Sequence, residues 1–173
     1  MTEGLHEEFL RCSIERLRQS CGRIESCLAK LTDEQIWARG SENENAIGNL
    51  VLHLSGNVRQ WIIAGVGAAR DVRQRDEEFA ARGSVGGAPL TEKLRGTVEE
   101  AVAVLERVGA ERLLEGLSIQ DYPVTALAAI YHVVEHFSGH TGQIIFATKM
   151  LTGEDLGFYR HLSRKAPHGE KTP

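Results

Sequence analysis

The helical character of the chain is clearest in residues 126–151, which read ALAAIYHVVEHFSGHTGQIIFATKML. Apolar residues recur in this run at helical spacing and define one inward direction; they are Ala126, Ile130, Val133, Phe137, Ile144 and Leu151. We expect Pro123 and Thr125 to open the helix and Gly153 to mark its end. The sequence therefore predicts a long amphipathic helix here, the last of the main helices.

The same spacing predicts three main helices earlier in the chain. The first runs from Leu5 to Lys30 and is followed by a short piece ending at Trp37. Its inward positions are Leu5, Phe9, Cys12, Leu17, Cys21, Ile24 and Leu28. The second runs from Ala46 to Ala64, and Ser41 with Glu44 is expected to cap it. Its inward positions are Ile47, Leu50, Val51, Leu54, Val58, Trp61 and Ile62.

The third main helix is predicted from Thr91, its expected cap, to about Val108. Between the second and third helices lies the charged run Arg70–Phe79, which we interpret as a solvated, self-paired connector. A glycine-rich loop at Ser84–Ala88 follows it. Four helices joined by mostly short connections predict an all-α four-helix bundle. We expect residues 1–173 to form a single domain with a polar tail from about residue 154.

Composition limits the classes of function. The chain has 173 residues, 42% hydrophobic and 25% charged, as in an ordinary globular domain. Its net charge of −4 gives no basic field for nucleic acid. No apolar run approaches the roughly 20 residues of a membrane span, and the acidic N-terminus is unlike a signal peptide. The three cysteines, Cys12, Cys21 and Cys27, suggest reduced thiols. These features predict a cytoplasmic protein without a nucleic-acid or membrane partner.

Three of the seven histidines, His132, His136 and His140, lie within residues 132–140. A spacing of four residues places successive side chains one turn apart on the same helix face. At about 100° per residue, His140 lies roughly 30° from the inward direction, His136 roughly 70° and His132 roughly 110°. Two of these imidazoles are therefore expected to point into or beside the bundle interior. His6, His161 and His168 lie near the termini and are expected to be exposed.

Buried imidazoles need hydrogen-bond partners or a metal ion. His136 and His140 can share one cation, but a third ligand must come from another helix. His53 is the histidine near the middle of the second helix, and Asn49 and Asn57 lie one turn to either side of it. Three neutral imidazoles leave coordination positions open and suit zinc, nickel or ferrous iron. The alternative is that these histidines are structural, or form a pH-sensing cluster.

Two segments carry a resemblance to a known family: Asn45–Asn57, NAIGNLVLHLSGN, and His136–Gln143, HFSGHTGQ. They resemble the DinB/YfiT-like superfamily of metal-dependent enzymes, and the run ending Arg75–Phe79 is similar to one branch of it. The resemblance implies a four-helix bundle whose metal is held by His53, His136 and His140. It also implies a homodimer, and an activity such as thiol-dependent transfer or isomerisation. By the same resemblance His132 and Gln143 would support the ligands or contact substrate.

The leading hypothesis is a metal-dependent enzyme acting on a small molecule, as a transferase that uses a low-molecular-weight thiol or as a hydrolase. The alternative is a non-catalytic bundle that binds a metal or a ligand. For the enzyme we expect a pocket with a polar mouth and an apolar floor. The mouth would comprise Asn49, Asn57 and Gln143, and the floor Leu50, Trp61 and Phe137. Glu135 is a candidate general base, but it lies nearly opposite the inward direction of its helix, which argues against that role.

Overall fold

The computed structural model describes residues 3–83 and 85–163. Its helices are α1 (Glu3–Leu28), α2 (Asp33–Ile36), α3 (Ile47–Val58), α4 (Arg75–Ala80), α5 (Gly87–Leu105), α6 (Ala110–Leu114), α7 (Ala126–Thr152) and α8 (Arg160–Ser163). A π-helical segment, Arg59–Val66, continues α3. Two short strands, β1 (Gly116–Ile119) and β2 (Tyr122–Thr125), pair antiparallel before α7.

Four of these helices, α1, α3, α5 and α7, form the predicted all-α bundle. Helices α1 and α3 each pack against both α5 and α7. The predicted inward residues of the second helix are all buried, from Ile47 to Ile62. No helix in the described part of the chain is both long enough and apolar enough to cross a membrane. The bundle places α3 directly beside α7, the two helices that carry His53 and the histidine cluster.

The predicted end of α7 is confirmed, and its start is confirmed in part. The Thr125 hydroxyl accepts a hydrogen bond from the Ala128 backbone N–H at 3.1 Å, which caps the helix. Gly153 ends it in the left-handed conformation with φ of 68°. Pro123, however, belongs to β2 and not to the helix. The hairpin was missed because its turn residues, Gln120 and Asp121, adopt positive φ without the glycine that usually marks such turns.

Two predicted caps are wrong. Helix α5 begins at Gly87, and the Thr91 hydroxyl donates to the Gly87 carbonyl from inside the helix at 2.9 Å. Helix α3 begins after Ala46, whose N–H donates to the Asn49 side chain at 3.2 Å. Ser41 and Glu44 instead close the preceding turn, where the Glu44 carboxylate accepts from the Gly40 N–H.

A few predicted inward positions are also wrong. Helical spacing identifies one face of a helix, but the neighbouring helices do not cover every residue on that face. Leu5 and Leu151 are exposed near the helix ends, and Cys12 is exposed on α1. Cys21 and Cys27 are buried free thiols. In the predicted polar tail, Leu156 and Phe158 pack partly against the core. The rest of that tail, residues 164–173 with His168, lies outside the described residues, as does the side chain of His161.

Candidate metal centre

The ring nitrogens of His53, His136 and His140 converge between α3 and α7. Each ring offers one nitrogen, and the three atoms lie within 4.8 Å of one another. His53 Nε2 is 3.1 Å from His136 Nε2, which is 3.2 Å from His140 Nε2. Two tetrahedral ligands at the usual Zn–N distance of about 2.05 Å would be about 3.3 Å apart. The two distances to His136 Nε2 are thus close to the spacing that one divalent ion requires, and this cluster could hold a metal ion.

His53 has the most elaborate surroundings of the three histidines. Its Nδ1 lies 3.1 Å from Glu78 Oε2 and 3.1 Å from Arg73 Nη2. Arg73 donates to both carboxylate oxygens of Glu78 through Nε and Nη2, each at 2.8 Å. The ring of Phe79 also lies against the imidazole, with the two centroids 4.8 Å apart. The Nδ1 edge of His53 is therefore fixed by charged groups, while its Nε2 faces α7.

Arg73, Glu78 and Phe79 come from the charged run that we predicted to be a solvated connector, and that prediction is wrong for these residues. We call residues 70–83 the strap. Most residues of the strap are exposed, but the Arg73 side chain is only 3% exposed and that of Glu78 only 10%. Charge composition alone cannot show that two residues of such a run turn inward to meet a histidine.

Asn49 holds the strap against α3. Its Nδ2 donates to the Glu78 and Ala81 carbonyls at 2.9 and 3.1 Å, and its Oδ1 accepts from Arg39 at 2.6 Å. The Asn49 side chain is fully buried, so the prediction that it lines a pocket mouth is wrong. It supports the site from behind, by fixing the backbone that carries Glu78.

The outer nitrogens of the other two histidines differ in their partners. His140 Nδ1 donates to Gln143 Oε1 at 2.7 Å, which fixes that ring. His136 Nδ1 is buried without a hydrogen-bond partner among the described residues, and so is Asn57 Oδ1. Asn57 lies one turn beyond His53 on α3 and is 4% exposed, so it is not at a mouth either.

The comparisons with known proteins agree with this architecture. Residues 4–164 match the model of a family described as "Protein of unknown function (DUF1572)". The chain belongs to the DUF1572 family. No curated protein matches it at a significant level. Among solved structures, this DUF1572 chain is similar to a conserved protein from Enterococcus faecalis, with a TM-score of 0.71 and 17% identity over 83% of this chain and 97% of that one.

Two further solved structures share the fold. A DinB-like protein from Bacillus subtilis superposes with a TM-score of 0.66 and 16% identity over 85% of this chain and 96% of that one. A variant of a mycothiol-dependent maleylpyruvate isomerase superposes with a TM-score of 0.62 and 12% identity, over 78% of this chain and 60% of that one. The DUF1572 chain thus has the DinB-like fold, and the resemblance read from its sequence is confirmed for the fold.

A cleft of about 270 Å³ opens over the histidines of the DUF1572 protein. It is lined by His132, Glu135, His136, Gly139, His140 and Gln143. His53 closes the inner side of the cluster and does not line the cleft. Of the predicted floor, Leu50 and Phe137 are core residues, and Trp61 stacks on His132 with centroids 4.3 Å apart. A larger cavity of about 410 Å³ lies against the strap, but none of the residues lining it is a histidine.

Burial lowers the pKa of His136 to about 3, and repulsion from His140 and His53 acts in the same direction. Burial also lowers the pKa of His140, although the hydrogen bond with Gln143 opposes this, and it lowers the pKa of His132. Burial would raise the pKa of Glu78, but the hydrogen bonds from Arg73 and His53 outweigh it and keep that pKa below its usual value. His136 and His140 of the DUF1572 protein therefore offer neutral imidazole lone pairs at neutral pH, and Glu78 beside His53 is ionised.

These shifts predict that the metal-free DUF1572 protein loses stability as the pH falls below about 6.5, the ordinary histidine value. In this range the unfolded chain binds a proton at residue 136, whereas the folded chain, with its lower pKa, does not. The stabilising contribution is thus complete above the unfolded pKa and declines as the pH falls. Thermal unfolding between about pH 7.5 and pH 5.5, above the carboxyl range, measures it.

His136→Gln is the matched variant for this measurement and should show a shallower decline. Some dependence should remain, because His140 and His132 are shifted in the same direction. A melting temperature of the metal-free wild type that stays constant or rises on acidification would contradict the burial of neutral histidines.

Proposed function

We propose that this DUF1572 protein binds one divalent metal ion through His53, His136 and His140 and uses it in catalysis on a small molecule. The observation that carries the proposal is the convergence of three imidazole nitrogens within 4.8 Å of one another, at the inner end of an open cleft. A closed, four-ligand shell would instead favour a structural or storage site. Zinc, nickel and ferrous iron all suit three imidazoles.

The cleft supports an enzyme over a purely structural metal centre. His136 and His140 line it, so an ion held by the three histidines would be within reach of a substrate that enters the cleft. Glu78 is not a candidate fourth ligand, because it lies on the Nδ1 side of His53 while the other histidines lie on the Nε2 side. When bound here, a divalent ion would supply Lewis-acid chemistry, making a thiol or a water molecule easier to deprotonate.

The residues of the chain itself orient and enclose this chemistry. Gln143 holds the His140 ring, and Glu78 lies against the His53 ring. His132 and Glu135 form one wall of the cleft, where they can contact a bound substrate. We favour a low-molecular-weight thiol as cosubstrate, because the solved structures of this fold include a mycothiol-dependent enzyme. A transferase using such a thiol is the leading reaction class, and hydrolysis by water at the same position is its alternative.

The first experiment is elemental analysis of protein purified without a histidine tag, followed by turnover assays. We expect about one equivalent of zinc, nickel or iron per chain. The metal-loaded protein is then assayed with an electrophile plus cysteine, glutathione or mycothiol, and separately with simple esters and amides. Thiol-dependent turnover that is lost on chelation and restored by metal supports the transferase. Turnover of the esters alone supports the hydrolase.

Failure to retain any of the three metals after supplementation would contradict the metal site. Full metal loading without turnover in either assay would favour a non-catalytic binding protein. That the whole chain forms one domain, assembles as a homodimer and resides in the cytoplasm are further predictions. Sedimentation tests the dimer, and a monomer at micromolar concentration would rule it out.

A further inference from the structure

The contact between the strap and His53 requires a glycine at residue 56. Gly56 lies on α3 within one turn of His53 and faces the strap. A Cβ atom at this position would be 1.8 Å from Glu78 Oε1 and 3.0 Å from Arg73 Nε. Any other side chain would therefore displace the carboxylate of Glu78, which Arg73 grips through two nitrogens. The Glu78 carboxylate approaches the backbone of α3 here so closely that only glycine leaves enough space.

The carboxylate of Glu78 has a fixed direction. Its Oε1 and Oε2 each accept a hydrogen bond from Arg73 at 2.8 Å, in the two-pronged geometry that guanidinium favours. The same Oε2 is 3.1 Å from His53 Nδ1. With the His53 side chain only 8% exposed, solvent does not compete effectively for that nitrogen. The position of the carboxylate thus determines which partner His53 Nδ1 meets.

Two neutral tautomers of His53 are compatible with its neighbours, and they have opposite consequences for metal binding. If Nδ1 carries the proton, it donates to Glu78 and the Nε2 lone pair faces His136. If Nε2 carries the proton, Nδ1 accepts from Arg73 Nη2, which lies 3.1 Å away, and the Nε2–H points at His136 Nε2. The second arrangement blocks the lone pair that a cation needs. Both bonds to Nδ1 involve a charged partner. Arg73, however, already donates to both oxygens of Glu78, and an unprotonated Nδ1 would turn its lone pair toward the carboxylate oxygen 3.1 Å away. These contacts favour the Nδ1–H tautomer.

We propose that Glu78 is the positioning residue of the metal centre, selecting the Nδ1–H tautomer of His53, and that Gly56 is required to seat it. This inference rests on the proposed function in one respect: the unprotonated Nε2 of His53 is taken to bind the metal ion. Removing such outer partners of a ligand histidine typically weakens metal binding about 10- to 100-fold. Arg73 by itself would favour the Nε2–H tautomer, because its Nη2 can donate to an unprotonated Nδ1. It also holds the Glu78 carboxylate in place, and we take the effect of that carboxylate on the tautomer to be the larger one.

The test compares Glu78→Gln and Gly56→Ala with two control variants. Glu78→Gln keeps the size of the side chain and removes its charge. Glu77→Gln is its control, since Glu77 is the exposed neighbour on the same strap. Gly96→Ala is the control for Gly56→Ala, because a Cβ at residue 96 in α5 would meet nothing within 4 Å. Circular dichroism checks that each variant folds, and Glu78→Gln keeps the test decisive if Gly56→Ala does not.

Two readouts are measured. The first is the ¹⁵N chemical-shift pattern of the His53 ring in metal-free protein, which distinguishes the tautomers without any activity. The second is zinc affinity by competition with a chelating dye. We expect Nδ1–H in the wild type and both controls, a shift toward Nε2–H in Glu78→Gln and Gly56→Ala, and zinc binding weakened about 10- to 100-fold in those two variants.

The outcomes separate this inference from the proposed function. A wild type that binds zinc, with variants that bind equally tightly and keep the same His53 tautomer, overturns the role of Glu78. A wild type that binds no zinc overturns the proposed function. The tautomer then decides the inference alone: Nε2–H in the wild type overturns it, and Nδ1–H that is lost in Glu78→Gln supports it.

Discussion

Replacing His136 by alanine should reduce the metal content of the protein from about one equivalent to nearly none. His136 is the central member of the cluster, because its Nε2 is 3.1 Å from that of His53 and 3.2 Å from that of His140. Without it, two imidazoles on different helices remain, and they are too few to hold an ion against buffer and chelator. Elemental analysis of tag-free protein after dialysis measures the change, and circular dichroism confirms the fold.

His132→Ala is the matched control. His132 lies on the same helix one turn earlier and lines the same cleft, but it is not among the three converging histidines. It should retain full metal occupancy while losing its stacking on Trp61. Full occupancy in His136→Ala, or equal losses in the two variants, would show that the ion is not held by the predicted three residues.

Phe137→Ala should destabilise the protein by about 3–5 kcal/mol, the usual cost of removing a buried aromatic ring. Phe137 is next to His136 in sequence but points into the core, where it is only 1% exposed and among the largest fully buried side chains. The loss combines transfer of the ring from the interior with the cavity it leaves. At about 2–4 °C per kcal/mol for a chain of this size, the melting temperature should fall by roughly 6–20 °C.

Phe146→Ala supplies the comparison on the same helix, because Phe146 is 68% exposed. Its effect should be within about 0.5 kcal/mol of zero. Both variants are measured by urea unfolding of the metal-free protein, so that loss of a bound ion does not contribute. Similar effects for the two substitutions would mean that the inward face of α7 has been assigned incorrectly.

The long helices and the His136–His140 pair could be predicted because both depend on spacing along one helix. The inward residues of α3 and α7 repeat at helical intervals, and His136 and His140 are separated by one turn. Their angular positions relative to Phe137 and Ile144 predicted that both would face the bundle. The choice of His53 needed only that the third ligand come from another helix. The bundle brings α3 beside α7, and the three nitrogens meet.

The surroundings of His53 could not be predicted in the same way. Glu78 is 25 residues away from it in sequence, and nothing in the spacing of the charged run distinguishes it from the exposed Glu77. The burial of Glu78 depends on the absence of a side chain at Gly56 and on backbone carbonyls held by Asn49. Such contacts arise from tertiary structure. Asn49 was predicted to line a pocket mouth, and its actual partners, the backbone carbonyls of the strap, could be identified only in the folded chain.

The buried Arg73–Glu78 pair helps to orient the His53 ring, but it need not contribute to the thermal stability of the protein. Desolvating two opposite charges costs about as much as their attraction restores, and apolar pairs of similar size are often equally or more stable. A programme that selects only for heat tolerance would therefore be free to replace both residues together with hydrophobic ones. The resulting protein would have a higher melting temperature, but the orientation of its His53 imidazole would be less well defined. Selection for thermal resistance should accordingly be paired with a screen for retained metal.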